Sequence, residues 1–327
     1  MKAGWFETFG DAKDVIQIGE RAKPKAGPGE VLVKLKTSSV NPSDVKKRAG
    51  AFPNLLDDGP VIPHSDGAGV IEAVGQGISR DRIGERVWVY QAQFARSLGT
   101  AAEYVALDSK RAPSLPDKAD FNVGACLGIP AMTAHRCVHS DGDIDGQLVL
   151  VTGGAGRVGY YAIQWAKMAG AKIIATASNE ADEKLCYELG AFAVVNHKVP
   201  GWGNEILNLT DNKKVQRVID VEFGANLPEI LKCIGVSGTI ATYSSTAIKQ
   251  PEIPFLQMMY MDLTVRMIIV YAMPESAKEK AINDTNDMLA KGLFKHRIAA
   301  VLPLSNLVEA HELIEQGKPG GCVIITT

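Results

Sequence analysis

The stretch that decides the fold is Val149-Leu-Val-Thr-Gly-Gly-Ala-Gly-Arg-Val-Gly159, which continues to Gly170. Together with Leu148, it opens as a short apolar, β-branched run that predicts a buried strand. The run breaks at Thr152 into glycines, and apolar residues then return at helical spacing until Gly170, which is placed to end a helix. The next strand is predicted over Lys172 to Thr176. Strand, glycine turn, helix and strand in this order predict one βαβ unit.

The glycine turn of this unit fits the pattern G-x-G-x-x-G. In dinucleotide-binding proteins these glycines allow a tight turn, a close approach of the backbone to pyrophosphate, and close packing of the helix on the strand. The N-terminus of the helix attracts phosphate through its N–H groups and its dipole. We therefore expect a dinucleotide here rather than a glycine turn without a ligand. The cofactor-binding residues expected in the loop are Gly154, Ala155, Gly156, Arg157, Val158 and Gly159.

The end of the second strand predicts NADPH rather than NADH. An NAD site usually has Asp or Glu there, which binds the ribose hydroxyls, whereas this strand ends Ala175-Thr-Ala-Ser178-Asn179. Small hydroxyl and amide groups leave room for a 2′-phosphate, and Lys184, one turn into the next helix, is a candidate for the balancing charge. Glu180 and Asp182 argue the other way, although acidic residues are ordinary in the first turn of a helix.

The composition of the 327 residues argues against several classes of function. Basic and acidic residues number 35 and 37, and the basic ones do not cluster, so neither nucleic acid nor a membrane surface is expected as a partner. Five widely spaced cysteines without a C-x-x-C pair predict reduced thiols. The N-terminus lacks the apolar core of a signal peptide, and no apolar run reaches transmembrane length. We expect a soluble, cytoplasmic protein.

The order of predicted elements indicates two kinds of domain. Short strands separated by loops in residues 1–122 predict a compact, barrel-like domain. Helical periodicity follows from Phe121 to Ser140, with a break expected at Pro130. Strands and helices then alternate, with a helix predicted over Glu180 to Leu189 and a strand over Ala193 to Asn196, so residues 123–273 predict a doubly wound parallel (Rossmann) sheet. Residues 274–327 are expected to return to the first domain through a closing strand.

The last strand of the parallel sheet is predicted over Leu263 to Ala272. Met267 to Ala272 is apolar at every position, which predicts burial on both faces. As the last strand it should lie at an edge, where unpaired backbone groups invite another strand. Pairing with the same strand of a second subunit gives a two-fold interface. We therefore expect a homodimer rather than a monomer whose edge is covered by its own loop.

The order of these domains resembles the medium-chain dehydrogenase/reductase superfamily and, within it, the zeta-crystallin-like quinone oxidoreductases. The resemblance implies a GroES-like barrel completed by the C-terminal segment, and a homodimer or tetramer. The motifs that carry it span nearly the whole chain: Ser39-Val-Asn-Pro-Ser-Asp44, Pro63-His-Ser-Asp-Gly-Ala-Gly-Val-Ile-Glu-Ala-Val-Gly75, Gly128-Ile-Pro-Ala-Met-Thr-Ala134, the glycine loop, and Ala310-His-Glu312 with Gly317-Lys-Pro-Gly-Gly-Cys-Val-Ile-Ile325.

The positions that bind zinc in some members of the superfamily carry other residues here. Those members take one ligand from a Cys in the segment matching Val40 to Asp44 and another from the His of a Gly-His-Glu motif. In this sequence Asn41 and Ser65 hold these places, and His64 is one residue out of register. Tetrahedral zinc needs several Cys or His ligands at workable spacing. We therefore expect a zinc-free enzyme in which His64 forms local hydrogen bonds.

The resemblance implies NADPH-dependent reduction of a quinone or a conjugated enone. Alcohol oxidation without a Lewis acid loses the group that stabilises the alkoxide, whereas hydride addition to an electron-poor ring or β-carbon leaves the charge spread over a conjugated oxygen. Reduction of an enoyl thioester is a second interpretation, because relatives of similar fold reduce conjugated thioesters. A crystallin-like or RNA-binding role without turnover is a third, and the lack of a basic patch weighs against RNA.

Within the family, Asn41 resembles the polar residue of the active-site cleft, and its alternative role is that of a turn residue before Pro42. Lys46 and Phe52 stand where some relatives have tyrosines, so a tyrosine proton donor is absent at these positions. Thr133 resembles the threonine near the nicotinamide carboxamide, although a threonine at a helix start is also an ordinary cap.

The remaining candidates lie near the carboxyl ends of predicted strands. Val270 and Tyr271 are expected to offer backbone groups to the carboxamide, and Ser244 and Ser245 to lie at the carboxyl edge of the sheet, where ligands bind. His197 stands where relatives have an aromatic residue or His beside the adenine ribose phosphate; its alternative is a solvated loop histidine. The lysine that some relatives place after Ser178 is Asp182 here, which leaves Lys184 as its substitute.

Overall fold

The structure is a computed structural model that describes residues 1–317 and 320–327. Lys318 and Pro319 of the closing motif lie outside the described residues. The chain forms two compact units, Met1–Ile129 with Ile282–Thr327, and Pro130–Ala281. The domain limits proposed from the sequence, after residues 122 and 273, lie a short distance before the limits of these units.

The N-terminal part of the first unit is rich in strands. Strands β3, β4 and β5 are antiparallel neighbours in one sheet, β6 also pairs with β3, and β1 and β2 form a separate antiparallel pair. The inward side chains of β3, among them Val31 and Val33, pack with Ile71 and Val87 in one apolar cluster. The elements are β1 (Lys2–Trp5), α1 (Ala12–Val15), β2 (Gln17–Glu20), β3 (Glu30–Val40), α2 (Pro42–Arg48), β4 (Asp66–Val74), β5 (Arg86–Val89), β6 (Tyr104–Asp108) and α3 (Phe121–Gly124).

The second unit contains a six-stranded sheet in which all strand pairs are parallel. Its elements are α4 (Met132–His139), β7 (Leu148–Val151), α5 (Arg157–Met168), β8 (Lys172–Ala177), α6 (Glu180–Leu189), β9 (Ala193–Asn196), α7 (Trp202–Leu209), β10 (Val215–Asp220), α8 (Phe223–Cys233), β11 (Ile234–Thr242), α9 (Phe255–Tyr260) and β12 (Thr264–Met267). The strand order is β12-β11-β10-β7-β8-β9. Since the chain leaves β7 in one direction and returns to its other side with β10, the predicted doubly wound sheet is confirmed.

The C-terminal segment returns to the sheet of the first unit. After α10 (Glu275–Lys291) come β13 (Ile298–Pro303), α11 (Leu307–Glu315) and β14 (Cys322–Thr326). Strand β14 runs antiparallel to β3, with Val323 opposite Val40, and β13 pairs with its other side. The predicted completion of the first domain by the closing strand is therefore confirmed.

Two sequence expectations need correction. The segment around Pro130 is a π-helical turn, Leu127–Ala131, which joins α3 to α4 rather than breaking one helix. The last strand ends at Met267, and Val270–Ala272 forms a 3₁₀ turn. Its edge position is confirmed, but burial on both faces is wrong, because Met267 is 76% and Ile269 54% exposed. An edge strand has one neighbour only, so an apolar run there does not ensure that both faces are covered.

Among the described residues, no helix has the length and apolar character needed to cross a membrane.

Candidate active site

The glycine loop follows β7, at the point where the strand order of the parallel sheet reverses. Gly153, one residue before the G-x-G-x-x-G pattern, makes the turn with a φ of +60°. A Cβ on Gly154 would lie 2.9 Å from Ala175 Cβ, and a Cβ on Gly159 would lie 2.2 Å from the carbonyl oxygen of Gly153. Close packing of β8 and α5 on the loop therefore requires glycine at both positions.

The start of α5 is suited to an anion. Gly156 is its exposed N-cap, and an added Cβ there would meet only Gly153 O, at 3.0 Å. The N–H groups of Gly153 and Gly154 donate to Thr176, at 2.9 Å each. Those of Val158 and Gly159, in the first turn, have no hydrogen-bond partner in the described part of the chain. A helix end of this kind offers donors and a positive dipole end, so the loop fits the pyrophosphate of a dinucleotide.

Asp220, at the carboxyl end of β10, ties the loop to its neighbours. Its Oδ1 accepts hydrogen bonds from Thr152 Oγ1 at 2.9 Å and Asn226 Nδ2 at 2.8 Å, and its Oδ2 accepts one from Thr242 Oγ1 at 3.1 Å. Burial raises the pKa of Asp220, and these donors oppose that rise. Asp220 was not predicted from the sequence, although a carboxylate that ends an apolar strand of a parallel sheet is a signal for such a residue.

Three of the residues predicted to bind the ribose phosphate lie directly after the ends of β8 and β9: Ser178, Asn179 and His197. His197 N–H donates to Ala177 O at 3.3 Å, which joins the two strand ends. Asn179 is the N-cap of α6: its Oδ1 accepts from Asp182 N–H and its Nδ2 donates to Asp182 Oδ2, at 2.9 Å each. Ser178 lies half-buried between the strand and this cap. The Asn179 side chain is therefore engaged in starting the helix.

The charges near these strand ends come from lysines. Lys184 on α6 and Lys198 after β9 are both exposed, and neither forms an ion pair with the residues that the structure describes. Partial burial and the charge of Lys198 lower the pKa of His197, and Asp182 opposes this. His197 is therefore a neutral hydrogen-bonding group at pH 7. Lys198 is a second candidate cation, missed in the sequence analysis because it follows a strand rather than opening a helix.

The serines after β11 lie at the same carboxyl edge, as expected. Ser245 Oγ accepts the N–H of Gly224 at 3.0 Å and donates to Ile248 O, so its hydroxyl holds its own loop to the start of α8. Ser244 Oγ lies 3.1 Å from Thr246 Oγ1. Ser244 is thus the freer of the two to meet a ligand.

Three candidates for the carboxamide end belong to the second unit. Thr133 is buried in the first turn of α4, whose N-cap is Ala131, so it is not the cap residue of that helix. Val270 and Tyr271 are buried in the 3₁₀ turn after β12 and not in a strand. Their backbone groups still follow the carboxyl end of the last parallel strand.

In the first unit, Asn41 is the buried N-cap of α2, directly before Pro42. Its backbone N–H donates to Asp44 Oδ2 at 2.8 Å, and its Nδ2 donates to Asp66 Oδ2 at 2.9 Å. Asn41 therefore has the helix-start role and is also fixed by a buried carboxyl group. Burial raises the pKa of Asp66 to about 8, while the N–H of Ile129 opposes that rise. Asp66 lies within the family motif from Pro63 to Gly75, but no functional role was predicted for it from the sequence.

His64 is hydrogen-bonded as expected, but its partners Ser38 and His311 are distant in sequence, and they belong to a buried chain whose donors can be deduced. Asp66 O can only accept, so Thr100 Oγ1 donates to it, at 2.6 Å. Ser38 Oγ, at 2.7 Å, then donates to Thr100, and His64 Nδ1, at 2.8 Å, donates to Ser38. Burial and, next, the charge of Lys47 lower the pKa of His64 to about 3. Its Nε2 is therefore an acceptor, and His311 Nε2–H donates to it at 3.0 Å.

The first and second units both match known families. The family profile described as alcohol dehydrogenase GroES-like domain matches residues 27–117, and that described as zinc-binding dehydrogenase matches residues 158–286. The quinone oxidoreductase of Homo sapiens is 31% identical over 321 residues, which cover 97% of this chain and 95% of that protein. The chain belongs to the quinone oxidoreductase branch of the medium-chain dehydrogenases/reductases.

Solved structures agree with the fold of this quinone oxidoreductase family member. Escherichia coli quinone oxidoreductase complexed with NADPH matches with a TM-score of 0.89 at 23% identity, over 100% of both chains. The quinone oxidoreductase of Pseudomonas syringae matches with a TM-score of 0.88 at 25% identity, over 100% of this chain and 99% of the other.

The zinc-ligand positions of the superfamily do not fit zinc in this quinone oxidoreductase family member. The amide nitrogen of Asn41 is a donor to Asp66, and both ring nitrogens of His64 are engaged, with Ser38 and His311. Ser65, at the other ligand position, offers a neutral hydroxyl. Zinc sites in proteins use thiolate, imidazole or carboxylate ligands. The donor set around Asn41 and Ser65 therefore gives no basis for a zinc-dependent step.

The buried histidine pair predicts a loss of stability in acid. The pKa values of His64 and His311 are lowered in the fold, chiefly by burial, so below about pH 6.5 these two residues bind more protons in the unfolded chain and their contribution to stability falls as pH falls. His311→Gln keeps an N–H donor but cannot titrate. We expect its unfolding free energy, measured in urea between pH 7.5 and 5, to fall less steeply than that of the wild type, by about 1.4 kcal/mol per pH unit below pH 6.

Burial lowers the pKa values of the two histidines but raises those of the two buried carboxyl groups, Asp44 to about 6 and Asp66 to about 8. The carboxyl groups therefore contribute a change of stability with pH of the opposite sign. Both are present in the wild type and in the variant, so they cancel in the comparison. Parallel stability curves for the two proteins would contradict the assignment of a buried, neutral His311.

Proposed function

We propose that the protein reduces quinones, and other conjugated carbonyl compounds, by NADPH-dependent hydride transfer without zinc. The observation that carries the proposal is the anion-binding loop at the reversal point of the sheet, in a chain whose 31%-identical relative over 97% of its length is a quinone oxidoreductase. The five cysteines are free, buried thiols, which suits the reducing environment of the cytoplasm, and a cytoplasmic location is part of the proposal.

When bound, NADPH supplies the hydride, and the protein binds and orients it. The loop from Gly154 to Gly159 holds the pyrophosphate, with Val158 and Gly159 as backbone donors. Residues after the other parallel strands, together with Thr133 of α4, hold the two ends of the cofactor. These are Ser178, Asn179, Lys184 and His197 at the ribose phosphate, Ser244 and Ser245 along the edge, and Thr133, Val270 and Tyr271 at the carboxamide.

On the substrate side, Asn41 acts as a hydrogen-bond donor. Hydride addition to a quinone places negative charge on a conjugated oxygen, and a fixed N–H group stabilises that charge as it develops. A proton from solvent or from a side chain then completes the hydroquinone. Because this charge is delocalised over the conjugated system, the reaction does not depend on a Lewis acid as alcohol oxidation does.

Turnover measurements test the proposed function. Purified protein is dialysed against a chelator, its metal content is measured, and NADPH oxidation is followed with short quinones, enones and a crotonyl thioester. We expect quinone-dependent NADPH oxidation that survives the chelator, with no stoichiometric zinc. Activity on the thioester alone would indicate an enoyl-thioester reductase, and turnover that chelation abolishes and zinc restores would contradict the zinc-free mechanism. Absence of any turnover would favour a non-enzymatic role.

Selectivity for NADPH depends on a cation beside the 2′-phosphate, and Lys184 is our first candidate. Asn179 is engaged in its helix cap, and partial burial lowers the pKa of His197, so we assign the charge to a lysine. Lys184→Ala should weaken NADPH binding about tenfold or more and leave NADH binding nearly unchanged, because one charge-assisted hydrogen bond to phosphate is worth about 1.5–3 kcal/mol. Fluorescence titration with both cofactors measures this.

Variants of two other lysines provide a control and test an alternative phosphate ligand. Lys172→Ala serves as the control. Lys172 is the first residue of β8, so it lies at the amino ends of the parallel strands, away from the carboxyl ends where the cofactor is proposed to bind. If Lys198→Ala rather than Lys184→Ala selectively loses NADPH, the phosphate ligand is Lys198. Equal losses of NADPH and NADH in Lys184→Ala would show that Lys184 supports only the fold.

We also propose a homodimer formed through the edge strand β12. Three apolar residues at this edge are exposed: Met267 at the end of β12 (76%), Ile269 just after it (54%) and Tyr260 before it (79%). The N–H of Ile268 donates to Thr242 O inside the subunit at 2.7 Å. In a strand the backbone groups alternate in direction, so those of Met267 face away from β11 and can pair with a second strand.

Light scattering at micromolar concentration measures the assembly. We expect a dimer for the wild type and a monomer for the double variant Met267→Lys, Ile269→Lys, because the charges would be buried in the interface. Phe192→Lys, at a half-exposed apolar residue before β9, is the control and should remain a dimer. A monomeric wild type would end this proposal.

A further inference from the structure

Asp66 is fully buried at the start of β4, and only one of its carboxyl oxygens is hydrogen-bonded. Oδ2 accepts from Asn41 Nδ2 at 2.9 Å and from the N–H of Ile129 at 2.8 Å. Oδ1 has no hydrogen-bond partner in the described part of the chain. It faces Gly128, where an added Cβ would lie 2.0 Å from it. A buried carboxyl group with an unused oxygen is costly, so its retention calls for a reason.

We propose that Asp66 is a positioning residue for quinone reduction, which fixes the side chain of Asn41 as a hydrogen-bond donor to the substrate oxygen. This inference rests on the proposed role of Asn41. Asp66 acts through Asn41 and is not itself a group that touches the substrate.

The hydrogen-bond count around Asn41 supports this role. The Asn41 amide is turned with its nitrogen toward Asp66, because Nδ2 donates to the same Oδ2 that accepts the N–H of Ile129. The amide nitrogen carries two hydrogens, and Asp66 Oδ2 takes one of them. Asp66 leaves the other hydrogen unused, and in this proposal it is the one that meets the substrate oxygen. Asn41 thus presents a donor, which matches an oxygen that gains negative charge during reduction.

The backbone on both sides keeps this arrangement rigid. Asn41 is held at the start of α2 by the bond from its own N–H to Asp44, at 2.8 Å. Asp66 is held from the other side by Ile129 and, through its carbonyl oxygen, by Thr100 at 2.6 Å. Gly128 leaves the space that Oδ1 occupies. A donor placed by fixed neighbours need not reorganise as charge develops.

Kinetics of Asp66→Ala, Asp66→Asn, Asn41→Ala and the double variant Asn41→Ala, Asp66→Ala test the inference. Asp66→Ala should lower kcat for a short quinone about tenfold or more, since a small misplacement of a catalytic group is that costly, with the Kd for NADPH unchanged. Asp66→Asn keeps an acceptor oxygen for Asn41 and Ile129 and should retain most of the activity. In the Asn41→Ala background, Asp66→Ala should change kcat by less than about twofold, because its partner is gone.

Thr37→Val is the control, since it removes another buried hydroxyl of the same sheet, one that donates to Phe121 O at 2.6 Å; its kcat should match the wild type. Thermal unfolding and NADPH titration establish that each variant is folded. If Asp66→Ala fails to fold, Asp66→Ser replaces it in the same cycle.

The outcomes separate the possible failures. Additive losses from Asn41→Ala and Asp66→Ala would overturn the positioning role of Asp66. A folded Asp66→Asn protein as impaired as Asp66→Ala would also overturn it, because the ionisable group itself would then be needed. Asn41→Ala with unchanged kcat would show that Asn41 lacks its proposed role, while wild-type quinone turnover separately decides the proposed function.

Discussion

The carboxylate of Asp220 is the constraint on which the ligand edge of the parallel sheet depends. It lies where β7, β10 and β11 end, and removing a carboxylate from water is costly unless hydrogen bonds compensate for the lost hydration. Thr152 donates to it and accepts the N–H of Val221 through the same hydroxyl oxygen. Because Thr152 directly precedes Gly153, these two bonds set where the glycine loop leaves the sheet. The position of the anion-binding helix end thus depends on a residue that the G-x-G-x-x-G pattern does not include.

In the first unit, buried polar residues are held by a chain of hydrogen bonds in which each side chain donates one hydrogen to the next. The carbonyl oxygen of Asp66 ends the chain and sets its direction back through Thr100 and Ser38 to the two histidines. His64 adopts a φ of +78°, which is uncommon for a residue with a side chain. Hydrogen bonds at both ring nitrogens hold it there. A buried network satisfied in this way specifies one arrangement of the core.

Local signals in the sequence predicted much of the second unit and little of the polar chemistry of the first. Helix α6 begins and ends where predicted, because Asn179 caps its start and Gly190, with a φ of +116°, ends it. Strand β12 was predicted too long, since an apolar run reveals hydrophobicity but not how many neighbours cover it. Asp66 and Asp220 were given no role because their partners, Ile129 and Thr152, lie far away along the chain. Pairing at such separation is fixed by tertiary structure and leaves no local pattern.

The central place of β14 in its sheet has a consequence for protein synthesis. The second unit is one continuous segment, whereas the sheet of the first unit receives β14 between β13 and β3 only when the last residues of the chain are available. Until then, residues 37–40 of β3 lack their partner strand on one side in the nascent chain, although residues 30–34 on that side pair with β6. A ribosome that stops before Cys322 therefore releases a protein whose parallel sheet can close but whose first sheet cannot. Such a product exposes a strand edge that chaperones and proteases can recognise.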